Sequence, residues 1–192
     1  MVVLQHPLEE HSAKGSARLL HLSLLRSRMV TGEVFAEREL LSLLRDPFEP
    51  STDTADEKHA ILLYPQTAGD TAAAPILTRE MLRDPSRLRL IVLDGTWRKS
   101  RKILHLNPLL QRLTRLPLHD VSLSRYLIRK AHRADQLSTL EATCLALMQL
   151  EGNAAQFQPL LNAFDGFIGQ QLAQRDAGVT AASNSNTNLV QL

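Results

Sequence analysis

Hydrophobic positions along the chain fall into short unbroken runs that alternate with stretches of helical spacing. Val2 to Gln5 reads as a strand, Ala60-Ile61-Leu62-Leu63-Tyr64 as a second ended by Pro65, and Leu88 to Leu93 as a third, interrupted only by Arg89. Between the first two, Ala13, Ala17, Leu20 and Leu24 recur at spacings of three and four, which predicts a helix over Ala13 to Met29. Glu37 to Arg45 predicts a shorter Leu-rich helix stopped by Pro47. Pro47 to Lys58 and Gln66 to Pro75 read as loops, and Thr78 to Arg83 as a short helical piece. After Asp94-Gly95-Thr96 a basic helix runs to about His105. Ser138 and Glu141 stand at the N-cap and N3 positions of another helix, the capping-box pattern. Phe157, Leu160, Leu161, Phe164, Ile168 and Leu172 give the last helix one apolar face, which fits a core or a dimer interface equally.

Apolar strands alternating with helices predict an α/β fold, a mostly parallel sheet with helices on both faces. At 192 residues this is one domain, expected over residues 1–175, with the polar residues 176–192 as a flexible tail. Hydrophobic residues at 44% and charged residues at 22% exclude a disordered or collagen-like chain. No apolar run approaches the ~20 residues that cross a bilayer, and the start lacks the basic region of a signal peptide. A cytoplasmic protein with no membrane association is therefore expected. Cys144 is the only cysteine, so neither an internal disulfide nor a Cys-rich zinc site is available.

The net charge of +2 conceals a segregation. Between Arg98 and Arg133 stand ten Lys or Arg against the single acid Asp120, a local +9 that leaves −7 to the rest of the chain. Such a segment attracts a polyanion, and nucleic acid is the expected one.

Ligands of an open parallel sheet bind beyond the carboxyl ends of its strands. Three segments arrive at that edge: Gln5-His6-Pro7 with the Glu9 and Lys14-to-Leu20 stretch behind it, Tyr64-Pro65, and Asp94-Gly95-Thr96-Trp97. Asp94 is the strongest single candidate, because a carboxylate at the end of a core strand is partly desolvated and can take a proton. On local sequence it reads equally as the N-cap of the basic helix, a role Thr96 shares. Trp97, the only tryptophan, walls a nucleobase or fills core. His6 and His132 lie nearest the candidate segments as possible bases, but no Ser-His-Asp or Cys-His arrangement is readable. No phosphate-binding Gly-rich motif is present.

Asp94-Gly95-Thr96-Trp97 resembles the D-x-T-W signature of DTW-domain proteins, the tRNA-uridine aminocarboxypropyltransferases. His6-Pro7-x-Glu9 with Ser16-Ala17-Arg18-Leu19-Leu20, Tyr64-Pro65, Ser124-Arg125-Tyr126 with Arg129, and Ser138-Thr139-x-Glu141-Ala142 resemble further blocks of that family in order and spacing. The resemblance spans roughly residues 2 to 150. Gly15 and Ser16 depart from the usual Asn-Thr, and the Cys-rich segment common ahead of the first strand is absent, so no metal is expected.

The resemblance implies a fold similar to SPOUT-type methyltransferases, with a C-terminal trefoil knot. It implies S-adenosylmethionine as co-substrate and transfer of its 3-amino-3-carboxypropyl group to N3 of a tRNA uridine, releasing methylthioadenosine. Carried onto this sequence, Asp94 is the base. Ser16, Tyr64, Pro65, Thr96, Trp97, Leu137, Ser138 and Thr139 line the co-substrate. Arg98, Lys99, Arg101, Lys102, Arg129, Lys130 and Arg133 hold tRNA phosphates, with Arg129 also suited to the aminocarboxypropyl carboxylate. Two rival readings stay open, a SPOUT-like RNA methyltransferase and a non-catalytic RNA-binding module.

Overall fold

A computed structural model describes residues 1–11, 15–48, 58–66, 74–75, 77–118 and 137–187. In chain order these form β1 (Val2–Gln5), a 3-10 turn (Pro7–Glu9), α1 (Ser16–Ser23), β2 (Arg28–Thr31), α2 (Glu37–Arg45) and β3 (His59–Leu63). There follow α3 (Arg79–Leu82), a second 3-10 turn (Pro85–Arg87), β4 (Leu88–Asp94), α4 (Trp97–Leu106), α5 (Pro108–Gln111) and β5 (Thr114–Leu116). Two helices close the chain, α6 (Thr139–Glu151) and α7 (Ala154–Thr187).

The strands make one five-stranded sheet in the order β2-β1-β4-β3-β5, and every pairing is parallel. The predicted α/β class with a parallel sheet is therefore the fold of the described residues. Alternation along the strands sorts the side chains onto two faces. Val3, Ile61, Leu90, Val92 and Leu116 pack with α1, α6 and α7. Val2, Leu4, Leu62, Ile91 and Leu93 pack with α2, α4 and α5. Both faces are covered, which is why the strands read as continuous apolar runs.

Arg89 interrupts the central strand β4 without breaking it. Its Nη1 donates to the Leu43 carbonyl at 2.8 Å and its guanidinium lies 4.3 Å from the Phe48 ring centre, so the buried charge is hydrogen-bonded and stacked.

The helix expected over Ala13 to Met29 is shorter than its spacing suggests. α1 stops at Ser23, and Arg28–Thr31 turns into an edge strand paired with β1. Side chains compete for the helix carbonyls there: Ser27 Oγ donates to Leu24 O at 2.9 Å and to His21 O at 3.0 Å, and Leu24 is already extended. β5 also lies within a stretch for which hydropathy predicts no element. By contrast α2 has the expected bounds, and Asp46 before Pro47 is extended as a pre-proline residue should be. α6 ends at Gly152, whose φ of 64° is a left-handed cap suited to glycine. The α7 backbone stays helical past Asp176 to Thr187.

Candidate active site

β1 and β4 are neighbours, yet the helices that follow them pack on opposite faces, α1 on one and α4 on the other. That makes their carboxyl ends the topological switch point, where an open parallel sheet leaves a crevice. Gln5 ends β1 and Asp94 ends β4, and the two are register partners.

Asp94 is 8% exposed, and each of its carboxylate oxygens has its own partner. Gln5 Nε2 donates to Oδ2 at 2.9 Å, and Thr139 Oγ1 donates to Oδ1 at 2.5 Å. Thr139 is the first residue of α6, so this bond anchors that helix to the end of β4. The anchored end is itself capped as the sequence predicts: Glu141 N donates to Ser138 Oγ at 3.2 Å, and Ser138 N donates to Glu141 Oε2 at 2.7 Å.

Asp94 does not cap α4. Thr96 occupies that position, its Oγ1 accepting from Lys99 N at 3.4 Å. The capping alternative for Asp94 is thereby replaced by a buried, doubly bonded carboxylate. Gly95 between them is required by close approach, since a Cβ there would lie 2.9 Å from Lys99 Cβ and 3.5 Å from His6 Cβ.

His6 is buried and spent on structure. Its backbone N donates to Asp94 O at 2.9 Å, and its Nδ1 accepts from Leu8 N at 3.1 Å. Nε2 therefore carries the ring proton, and it meets Glu33 Oε1 at 2.6 Å. Glu33 Oε2 in turn lies 2.6 Å from Lys102 Nζ. The Lys102 ammonium bonded to it, with His6 adding in the same direction, holds the Glu33 carboxyl below the usual carboxylate range. Asn107 fixes the loop that carries Glu33, donating from Nδ2 to Glu33 O at 2.8 Å and accepting at Oδ1 from Phe35 N at 3.0 Å. A second ion pair joins Lys99 Nζ to Glu9 Oε1 at 2.7 Å.

Trp97 is 59% exposed, so it does not fill core. It meets buried Tyr64 edge-on, with ring centres 5.5 Å apart and planes at 74°. Pro65 is exposed beside Tyr64, Ser16 is half-buried at the start of α1, and Leu137 is half-buried against the core ahead of Ser138. Arg98 and Arg101 are exposed on α4. Arg129, Lys130 and Arg133 lie outside the described residues, as do Ser124, Tyr126 and His132.

The structure thus joins Asp94 to Thr139 and Tyr64 to Trp97, and it diverts Lys99 and Lys102 into ion pairs with acids. It adds Glu33 and Asn107, which lie outside the candidate segments, and gives Gln5 of the first segment a direct bond to Asp94. A polar residue closing an apolar strand was a visible mark of Gln5. Glu33 and Asn107 carry no local mark.

A five-stranded parallel sheet with helices on both faces and a buried carboxylate at its switch point defines an α/β domain of the open-sheet class. Comparison with known families is more specific: the sequence model of the DTW domain matches residues 1–172, and the chain belongs to the DTW domain family. It is 32% identical over 154 residues to a Drosophila melanogaster protein named tRNA-uridine aminocarboxypropyltransferase 2, covering 78% of this chain and 56% of that one. Proteins of the same name from Macaca fascicularis and Mus musculus are 29% and 28% identical, each over 90% of this chain and 54% of their own. The chain therefore spans about half the length of the curated relatives it matches. No solved structure matches it.

Proposed function

We propose that this chain transfers a 3-amino-3-carboxypropyl group from S-adenosylmethionine to N3 of a uridine in tRNA. The observation that carries the reading is Asp94, a buried carboxylate of the D-x-T-W motif placed at the switch point of a parallel sheet. The names of the relatives support the same reaction class. Membership of one family over residues 1–172 supports a single catalytic unit over residues 1–175. The all-parallel order β2-β1-β4-β3-β5, with Thr139 returning to Asp94, supports a SPOUT-like fold. The C-terminal trefoil knot that the family resemblance implies belongs to the same proposal.

The residues present fit S-adenosylmethionine. The exposed indole of Trp97 on Tyr64 offers an aromatic surface for adenine beside the crevice. Ser16, Pro65, Thr96, Leu137 and Ser138 are the other residues that would hold it. When bound, it supplies a sulfonium-activated carbon, and forming the N3–carbon bond breaks the carbon–sulfur bond to release methylthioadenosine.

The protein's own part is orientation and proton removal. Asp94 takes the uridine N3 proton, a general-base step. Exposed Arg98 and Arg101, with Arg129, Lys130 and Arg133, hold phosphates, and Lys99 and Lys102 join them by exchanging their carboxylate partners. Among the described residues no helix is long and apolar enough to cross a membrane, and we place the activity in the cytoplasm.

Incubating the chain with bulk tRNA and labelled S-adenosylmethionine tests the reading. Methylthioadenosine as the small product is expected. S-adenosylhomocysteine would establish a methyltransferase instead, and RNA binding without S-adenosylmethionine binding would establish a non-catalytic module.

A further inference from the structure

Asp94 is gripped from two distant parts of the chain. Gln5 lies 89 residues before it on β1, and Thr139 lies 45 residues after it at the start of α6. The two donors take different oxygens of the same carboxylate. One donor would leave the carboxylate free to turn about its Cβ–Cγ bond; one on each oxygen fixes its plane. Gln5 is 3% exposed and reaches Asp94 directly across the β1–β4 register, with its backbone held in the ladder. Thr139 is held by the capping box beneath it.

We infer that Gln5 and Thr139 are positioning residues that fix the plane of the Asp94 carboxylate for proton transfer, and that Thr139 serves this role rather than lining the co-substrate. The inference rests on the proposed function and deepens it. A base acts only when its lone pair is aligned with the proton it takes, so loss of either donor should lower turnover while leaving substrate binding alone.

The test is a set of variants assayed for methylthioadenosine release with bulk tRNA and S-adenosylmethionine. Gln5→Leu and Thr139→Val each remove one hydrogen bond to a charged group, and kcat should fall about 10- to 100-fold with KM for both substrates within twofold. Thr139→Ser keeps the hydroxyl and should restore most of the rate. In an Asp94→Asn background, Gln5→Leu should cost nothing further, because a residue acting through Asp94 has no independent effect to lose. Full activity of both variants, an equal loss in the Asp94→Asn background, or a rise in KM with kcat intact would overturn the inference.

Thermal unfolding of the same single and double variants gives a second readout. Non-additive stability between positions 5 and 94, and between 139 and 94, is expected. Should the wild-type chain release no methylthioadenosine, the proposed function fails, and this stability cycle decides the hold by itself. Coupling then keeps the Asp94 grip, and additivity removes it.

Discussion

Lys102 Nζ sits 2.6 Å from Glu33 Oε2, so a lysine of the basic segment is already matched by an acid from the loop after β2. Lys99 is matched in the same way by Glu9. The local excess of positive charge read from the sequence is therefore partly neutralised within the fold. Among the described residues, α4 presents Arg98 and Arg101 to solvent without a carboxylate contact of this kind.

RNA binding should follow that division. Each phosphate contact contributes about 0.7 to 0.9 to the slope of log affinity against log salt. Replacing Arg98 and Arg101 together with Ala should flatten the slope by about 1.4 to 1.8. Lys99→Ala alone should change it less, because phosphate must first displace Glu9. Glu9→Gln releases Lys99 and should tighten binding. Fluorescence anisotropy with bulk tRNA over a salt series measures all three.

Asp94→Asn should lower methylthioadenosine release by about 10²- to 10⁴-fold, the usual loss for a general base. Its fold should persist. The Asn oxygen still accepts from Thr139, the Gln5 amide can turn to offer its oxygen, and α4 keeps its own cap at Thr96. Circular dichroism melts run beside the assay separate loss of chemistry from loss of structure.

Gly95→Ala should be destabilising by about 1 to 3 kcal/mol, the range for overpacking a tight site. The added methyl would meet Lys99 Cβ, part of the helix stem, which cannot swing aside as a side-chain tip would. A lower urea midpoint with an unchanged m-value would show it.

Cys144 should be silent to thiol reagents until the protein unfolds. Burial, with the Glu141 carboxylate adding to it, pushes its thiol up to about 12 from 9.0. Above pH 9 the unfolded chain ionises this thiol while the folded chain keeps it protonated. Its contribution to stability is thus complete below 9.0 and falls as pH rises towards about 12, at roughly 1.4 kcal/mol per pH unit. Comparing urea midpoints of wild type and Cys144→Ala between pH 8 and 11 isolates that slope.

Local pattern sufficed where one element decided its own fate. β1 and α2 lie where hydropathy puts them, and Ser138 with Glu141 forms the box their spacing predicts. It failed where pairing partners decide. Arg28–Thr31 has exposed ends and only two half-buried residues because an edge strand packs on one neighbour, so it blends into the helical spacing ahead of it. β5 is three residues long with Arg115 in its middle, too short for any period to register. The same holds for the site. Asp94 and Trp97 belong to one contiguous motif, whereas the bonds from Gln5 and Thr139 and the chain from His6 through Glu33 to Lys102 exist only once distant segments meet.

The place of β1 in the sheet sets an order of events during synthesis. Val2, Val3 and Leu4 are wholly buried between β2 and β4. The unit β1–α1–β2 is complete well before β4, but the inner edge of β1 has no partner until β4 has been made. Gln5 and Asp94 are 89 residues apart, which at roughly 5 to 20 residues per second is about 4 to 18 s of elongation. Through that interval an apolar strand with open backbone groups waits outside the ribosome, the kind of edge that recruits other chains. Pauses placed between the codons of β1 and β4 would lengthen that exposure, and chaperone dependence of the nascent chain should end once β4 emerges.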